Sequence, residues 1–117
     1  MPEKISIDDF KKVEIRVGEI RSVEPVKDSE KLLRLMVSFG EESDRQVISG
    51  IAKYFPDPSV LIGKRCAFAT NLEPRSLMGL ESQAMILATG GDSAADGTGI
   101  EPLYLFESSA PPGSRAR

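Results

Sequence analysis

The chain has 117 residues and a net charge of −3, enough length to bury one core but too little for a second ordinary domain, and it is not the bulk polycation that coats nucleic acid indiscriminately. It contains no histidine and one cysteine, Cys66, which removes the usual zinc sites, every histidine-dependent triad and any intrachain disulfide. No stretch approaches the roughly 18 consecutive apolar residues of a membrane span, and residues 1–4 lack the apolar run of a secretory signal, which places the chain in the cytoplasm by default and assigns it no membrane partner.

In chain order, Ile7 to Phe10 reads as a short helical turn, with Ser6 as its N-cap and Asp8 and Asp9 at its positive end. From Val13 to Val17 apolar residues occupy the odd positions, but beyond Gly18 they fall at Ile20 and Val23. A phase slip at glycine predicts a bulge or bend there, and a long bent first strand serves both halves of a small closed barrel. After a polar connection over 25–30, Leu33, Leu35, Val37 and Phe39 recur every second residue, the clearest strand in the chain. Gly40 to Asp44 supplies turn chemistry and Gln46 to Ser49 begins a return strand, so this region predicts a hairpin. Pro56 and Pro58 forbid a regular strand, leaving at most a helical turn before Gly63. Lys64 to Thr70 and Gln83 to Thr89 form two further apolar strands around a polar insertion, Asn71 to Ser82. Residues 90–99 read as a flexible loop and Leu103 to Phe106 as a short strand. From Pro111 onward the tail is expected to be loose unless a second subunit orders it.

Five short strands suit an all-β OB-fold barrel, although pattern alone also permits an open β-sandwich. One domain over 1–117 follows, with a core at about 8–90 and an extension at about 100–117. Cys66 in its apolar run reads as plain core. The carboxylate pairs Asp8-Asp9 and Glu41-Glu42 fall at a helix start and a turn, where solvated acids are common. The glycines of Gly90-Gly91 and Gly97-Thr98-Gly99 lack the lysine and helix context of a phosphate loop. No nucleophile–base pair or metal-ligand set is visible, so neither an enzyme nor a cofactor is expected. Seven Lys/Arg face five Asp/Glu between Lys11 and Arg34, an excess that by itself describes only a mixed solvated surface.

Four blocks in order carry more information than the periodicity. They are Asp9-Phe10 with Val13-Glu14-Ile15-Arg16-Val17-Gly18, then Ser29-Glu30-Lys31-Leu32-Leu33, then Ser49-Gly50-Ile51, then Asn71-Leu72-Glu73-Pro74-Arg75 with Gly79-Leu80-Glu81-Ser82-Gln83-Ala84-Met85. In these the chain resembles the tRNA-binding domain family over nearly its whole length. That family includes free-standing dimeric tRNA-binding proteins, the C-terminal domain of methionyl-tRNA synthetase, and related secretion chaperones. Two positions depart from its pattern: Ala84 stands where glycine is usual, and Ala116 replaces a bulkier apolar residue. The resemblance implies an OB barrel with a C-terminal extension through which two copies pair, and Leu103, Leu105 and Phe106 match that extension. Completion of the monomer's own core is the competing role for those three residues.

Looped RNA is held by cations aimed at phosphate, together with flat or apolar surfaces for bases. Beside the resemblance, that chemistry singles out Lys31 and Lys53 as phosphate contacts, and Arg75 as a planar guanidinium for phosphate or base. Asn71 and Ser82 offer polar groups that equally well stabilise turns, and Met85 offers a thioether that equally well fills a core. The resemblance implies tRNA and a second copy as partners, with an aminoacyl-tRNA synthetase as a further one. Two other roles stay open: a chaperone of the same family binding unfolded peptides over Met78, Leu80 and Met85, and a domain or subunit raising a synthetase's tRNA affinity. Met1 and the C-terminal sequence favour a free-standing chain.

Overall fold

A computed structural model describes residues 2–91 and 102–117; most of the glycine-rich loop expected at 90–99 lies outside these residues. One helical turn, α1 (Ile7–Phe10), precedes the strands β1 (Ile15–Pro25), β2 (Leu33–Ser38), β3 (Arg45–Ser49), β4 (Arg65–Ala69), β5 (Arg75–Leu77), β6 (Leu80–Ser82), β7 (Met85–Ile86), β8 (Ala88–Gly90) and β9 (Leu103–Leu105). Ser6 caps α1 as expected, its hydroxyl accepting the Asp9 N–H at 3.0 Å.

The main sheet is antiparallel, in the order β3-β2-β1-β4-β7. It curls until β3 meets the segment after β6. There the Gln83 N–H bonds the Gln46 carbonyl at 2.8 Å, the Gln83 side chain accepts the Gln46 N–H at 2.8 Å, and the Ser82 hydroxyl accepts the Ile48 N–H at 3.0 Å. These bonds bring the five strands to a nearly closed, OB-fold-like barrel. Leu33, Leu35 and Val37 of β2 point inward as their alternation predicts, together with Phe39, Ile20, Val47, Cys66, Phe68 and Ile86. The Phe39 and Phe68 rings meet edge to face at 5.3 Å. Leu61, fully buried at the end of the helical turn Pro58–Leu61, joins the same core. Cys66 lies among them, and burial pushes its thiol up to about 11.

The bend in β1 differs in place and in cause from the expected one. Gly18 is regularly paired with Cys66, and the register slips three residues later, between Ile20 and Ser22. Gly18 is needed for space: a Cβ there would lie 2.6 Å from Phe39, 2.6 Å from Val37 and 2.9 Å from Phe68.

The polar insertion is a hairpin, β5–β6, turned at Met78 (φ 52°) and Gly79 (φ 79°), a pair of left-handed residues that suits strand twist. The strand expected over Gln83 to Thr89 is divided at Leu87. Its N–H bonds Ala67 while its carbonyl accepts the Phe106 N–H, so β7 pairs with β4 and β8 with β9.

The tail is not loose. Gly113 donates to Val17 at 2.7 Å, Ser114 accepts from Val17 at 2.8 Å, and Ala116 donates to Ile15 at 2.8 Å. From Ile15 to Gly18 β1 has no β2 partner, and the tail takes that vacant edge. Gly113, at φ 92°, packs so closely on Phe39 that a Cβ would lie 2.6 Å from its carbonyl oxygen.

Arg16 fastens this junction, donating to the Phe39 carbonyl at 3.0 Å and pairing with Glu14 and Glu41 at 3.4 and 3.3 Å. Arg45 adds bonds to Glu41 at 2.9 Å and to the Thr70 carbonyl at 2.7 Å. A hydrogen bond from Thr70, aided by Arg16, holds the Glu14 carboxyl below its usual range, and Arg45, followed by Arg16, does the same for Glu41. Both carboxylates therefore contribute stability that is fully present above the ordinary value of 4.5 and lost as pH falls through their lowered folded values. Melting temperature is expected to be level from about pH 7 to 5 and to drop below about pH 4.5. The drop should be shallower in Glu41→Gln; superimposable acid limbs would contradict this role.

Candidate functional site

Lys31 stands exposed at the end of the β1–β2 loop. That loop is shaped from within: the Ser29 hydroxyl accepts the N–H groups of Lys31 and Leu32, each at 3.2 Å, and Val26 donates to the Leu32 carbonyl at 3.1 Å. The Lys31 carbonyl accepts the Ala52 N–H at 3.0 Å, which brings Lys31 beside the helical turn Ala52–Tyr54 that carries Lys53. The Lys53 ammonium lies 5.3 Å from the centre of the Tyr54 ring, and the Tyr54 hydroxyl donates to the Gly91 carbonyl.

On the far side of β3, Arg75 and Ser82 are cross-strand partners in the β5–β6 hairpin. Arg75, Ser82 and Met85 line one small depression, with Leu72 and Leu77 at its margin. Its volume is about 50 Å³, room for one or two waters, so a base would rest on this surface and not enter it. Met85 is 47% exposed between the buried Ala84 and Ile86, as alternation in a strand requires. Ala84 thus contributes to the core.

Two of the sequence-predicted polar residues are occupied by the fold. Ser82 is buried, and its hydroxyl accepts from Ile48 and donates to the Ala84 carbonyl at 3.0 Å. The Asn71 amide accepts the Glu14 N–H at 2.7 Å and donates to the Lys12 carbonyl at 2.6 Å. It ties the segment after β4 to the segment before β1. Asn71 is exposed but bonded to backbone, so Lys31, Lys53, Arg75 and Met85 are the remaining exposed candidates, two on each side of β3.

Strand alternation splits the C-terminal residues. Leu103 and Leu105 pack against the core, whereas Phe106 is 52% and Tyr104 61% exposed. A groove of about 590 Å³ runs between α1 and the tail, its apolar wall formed by Ile7, Phe10, Val13, Ile15 and Ala116 and its rim carrying Lys11, Arg115 and Arg117. Ile15, Arg115 and Ala116 also border a second depression of mixed character that reaches Ala67, Phe106 and Glu107. The apolar spacing of Ile7, Phe10 and Val13 was the available sequence signal for the α1 side of it. Among the described residues no group of acidic residues or cysteine suits a metal ion, and no helix is long and apolar enough to cross a membrane.

A model of the family described as "putative tRNA binding domain" matches residues 15–115. The methionine–tRNA ligase of Methanosarcina acetivorans is 43% identical over 114 residues, covering 97% of this chain and 15% of the ligase. That of Halalkalibacterium halodurans is 52% identical over 86 residues, covering 74% of this chain and 13% of the ligase. The chain thus spans about one-seventh of the length of such relatives. Among solved structures, a protein from Pyrococcus horikoshii related to methionyl-tRNA synthetase superposes with a TM-score of 0.84 at 32% identity, covering 99% of this chain and 100% of that one. The CsaA chaperone protein from Picrophilus torridus superposes with a TM-score of 0.78 at 25% identity, covering 97% and 100%.

Proposed function

Because the chain belongs to the tRNA-binding domain family, we propose that it binds tRNA without catalysing a reaction on it, acting as a homodimer that raises the tRNA affinity of a methionyl-tRNA synthetase. The observation that carries this reading is the exposed set around β3. Lys31 and Lys53 stand on one side, Arg75 beside the apolar shelf of Met85 and Leu72 on the other. Cations aimed at phosphate and a surface for one or two base faces are what looped RNA requires. In this reading Asn71 and Ser82 position the site and do not touch the ligand. Ser82→Ala would leave the buried Ile48 N–H without its acceptor and cost about 1–3 kcal/mol of stability. The tRNA affinity of the folded protein should stay unchanged; lost affinity at unchanged stability would instead put the hydroxyl in contact with RNA.

The second copy is assigned to the apolar face formed by α1, the tail, Tyr104 and Phe106. Ile7, Phe10 and Phe106 are exposed large apolar side chains of the kind a second copy would cover. Phe10→Asp combined with Phe106→Asp is expected to convert a dimeric mass in solution to a monomeric one, and a dimer that persists would contradict this face. The likeness to the CsaA chaperone protein supports a second reading, in which unfolded peptide occupies the same shelf. Competition separates the two. The first reading expects a gel shift with tRNA that excess unfolded peptide leaves intact, and a shift with peptide but none with tRNA would replace it by the second.

A further inference from the structure

Two non-glycine residues in the described chain hold a left-handed backbone, Asp28 (φ 65°) and Met78 (φ 52°), and both line the same open cleft. The cleft, about 580 Å³, separates the β1–β2 loop from the tip of the β5–β6 hairpin, a size at which small ligand groups bind. At Met78 the turn type calls for asparagine or glycine. Methionine there gives up local stability, and the residue is 59% exposed. Aspartate tolerates this backbone, whereas methionine is strained in it, and strain held in the wall of a cleft is what a binding function retains and selection for stability alone removes.

The chemistry of the walls narrows the occupant. Pro25, Val26, Met78 and Leu80 supply apolar surface, suited to the face of an unstacked base. Arg34 is tied to Glu24 and Gln46, which fixes the wall between them. Lys27 and Asp28 stand exposed at the rim. A carboxylate accepts hydrogen bonds from an exocyclic amino group, and an ammonium pairs with phosphate. The cleft thus offers complementary partners for the face, the amino edge and the phosphate of one nucleotide. The same loop ends at Lys31, so the cleft continues the proposed RNA surface.

We infer that this cleft holds one unstacked, amino-bearing nucleobase of the bound RNA, with its face on Met78 and Leu80, its amino edge at Asp28 and its phosphate at Lys27. The inference rests on the tRNA-binding reading above. Its test compares the full chain with Met78→Gly and Asp28→Asn, both of which keep residues that tolerate the left-handed backbone. Affinity is measured for total tRNA, for an RNA duplex with no unpaired nucleotide, and for an unfolded peptide. Met78→Gly is expected to melt at the same or a higher temperature and to bind tRNA about tenfold more weakly. Asp28→Asn should lose severalfold, and affinity for the duplex should not change in either. Equal tRNA affinity of wild type and both variants, an equal loss on the duplex, or a loss confined to the peptide would each overturn the inference while leaving tRNA binding in place. A wild-type chain that fails to bind tRNA overturns both.

Discussion

Gly18→Ala is expected to be among the most destabilising single substitutions available in this barrel. Its new methyl would lie 2.6 Å from Phe39 and from Val37 and 2.9 Å from Phe68, closer than real Cβ atoms approach their neighbours. All three are buried core side chains, and Phe39 and Phe68 already hold each other in an edge-to-face pair. None is the free end of a flexible chain that could swing away. Overpacking of this kind costs about 3 kcal/mol, which in a domain of this size lowers the melting temperature by roughly 10–15 °C. Since Phe39 also receives Arg16 and the tail through its carbonyl, displacement of its ring should loosen the C-terminal strap. Amide exchange at Ala116 is then expected to speed up more than at the β2–β3 hairpin. An unchanged melting temperature would mean that the barrel at Gly18 is not packed as described.

The second large effect concerns binding alone. Lys31→Ala and Arg75→Ala remove exposed side chains from loop and hairpin positions, so neither should shift the melting temperature. A hydrogen bond to a charged group is worth roughly 1.5 kcal/mol or more, so each variant should lose about tenfold in tRNA affinity. The two residues lie on opposite sides of β3 without a shared partner, and the double variant should approach about a hundredfold by additivity. Each lost phosphate contact also reduces the slope of log affinity against log salt by about 0.7–0.9. A drop in affinity with an unchanged slope at Arg75 would mark its guanidinium as a stacking partner for a base. Wild-type affinity in the double variant would remove both residues from the interface.

Much of this was legible in the sequence because it follows from period and turn chemistry. The alternation of Leu33, Leu35, Val37 and Phe39 gave an inward face, and Gly40 to Asp44 gave its hairpin. The Ser6 cap and the core role of Cys66 were equally readable. What escaped depended on partners distant in the chain. A phase slip marks that β1 bends but not that Gly18 is needed for the rings of Phe39 and Phe68 while the bulge falls after Ile20. Ser82 and Asn71 look available as isolated polar residues, yet each is claimed by a backbone segment more than thirty residues away. The tail looked loose because Pro111-Pro112-Gly113 ends regular structure, and only the vacant edge of β1 explains why it docks. The Met78 turn was hidden because methionine is not a residue that its backbone conformation favours.

The most direct measurement of the central claim is a titration of the purified chain against total tRNA and against a DNA duplex, at about 50 and 200 mM salt. Binding to tRNA is expected to be tighter than to the duplex and to weaken steeply as salt rises, because condensed counterions are released on contact with Lys31, Lys53 and Arg75. Affinity that does not change with salt, or that is equal for tRNA and duplex DNA, would contradict a phosphate-directed tRNA surface around β3.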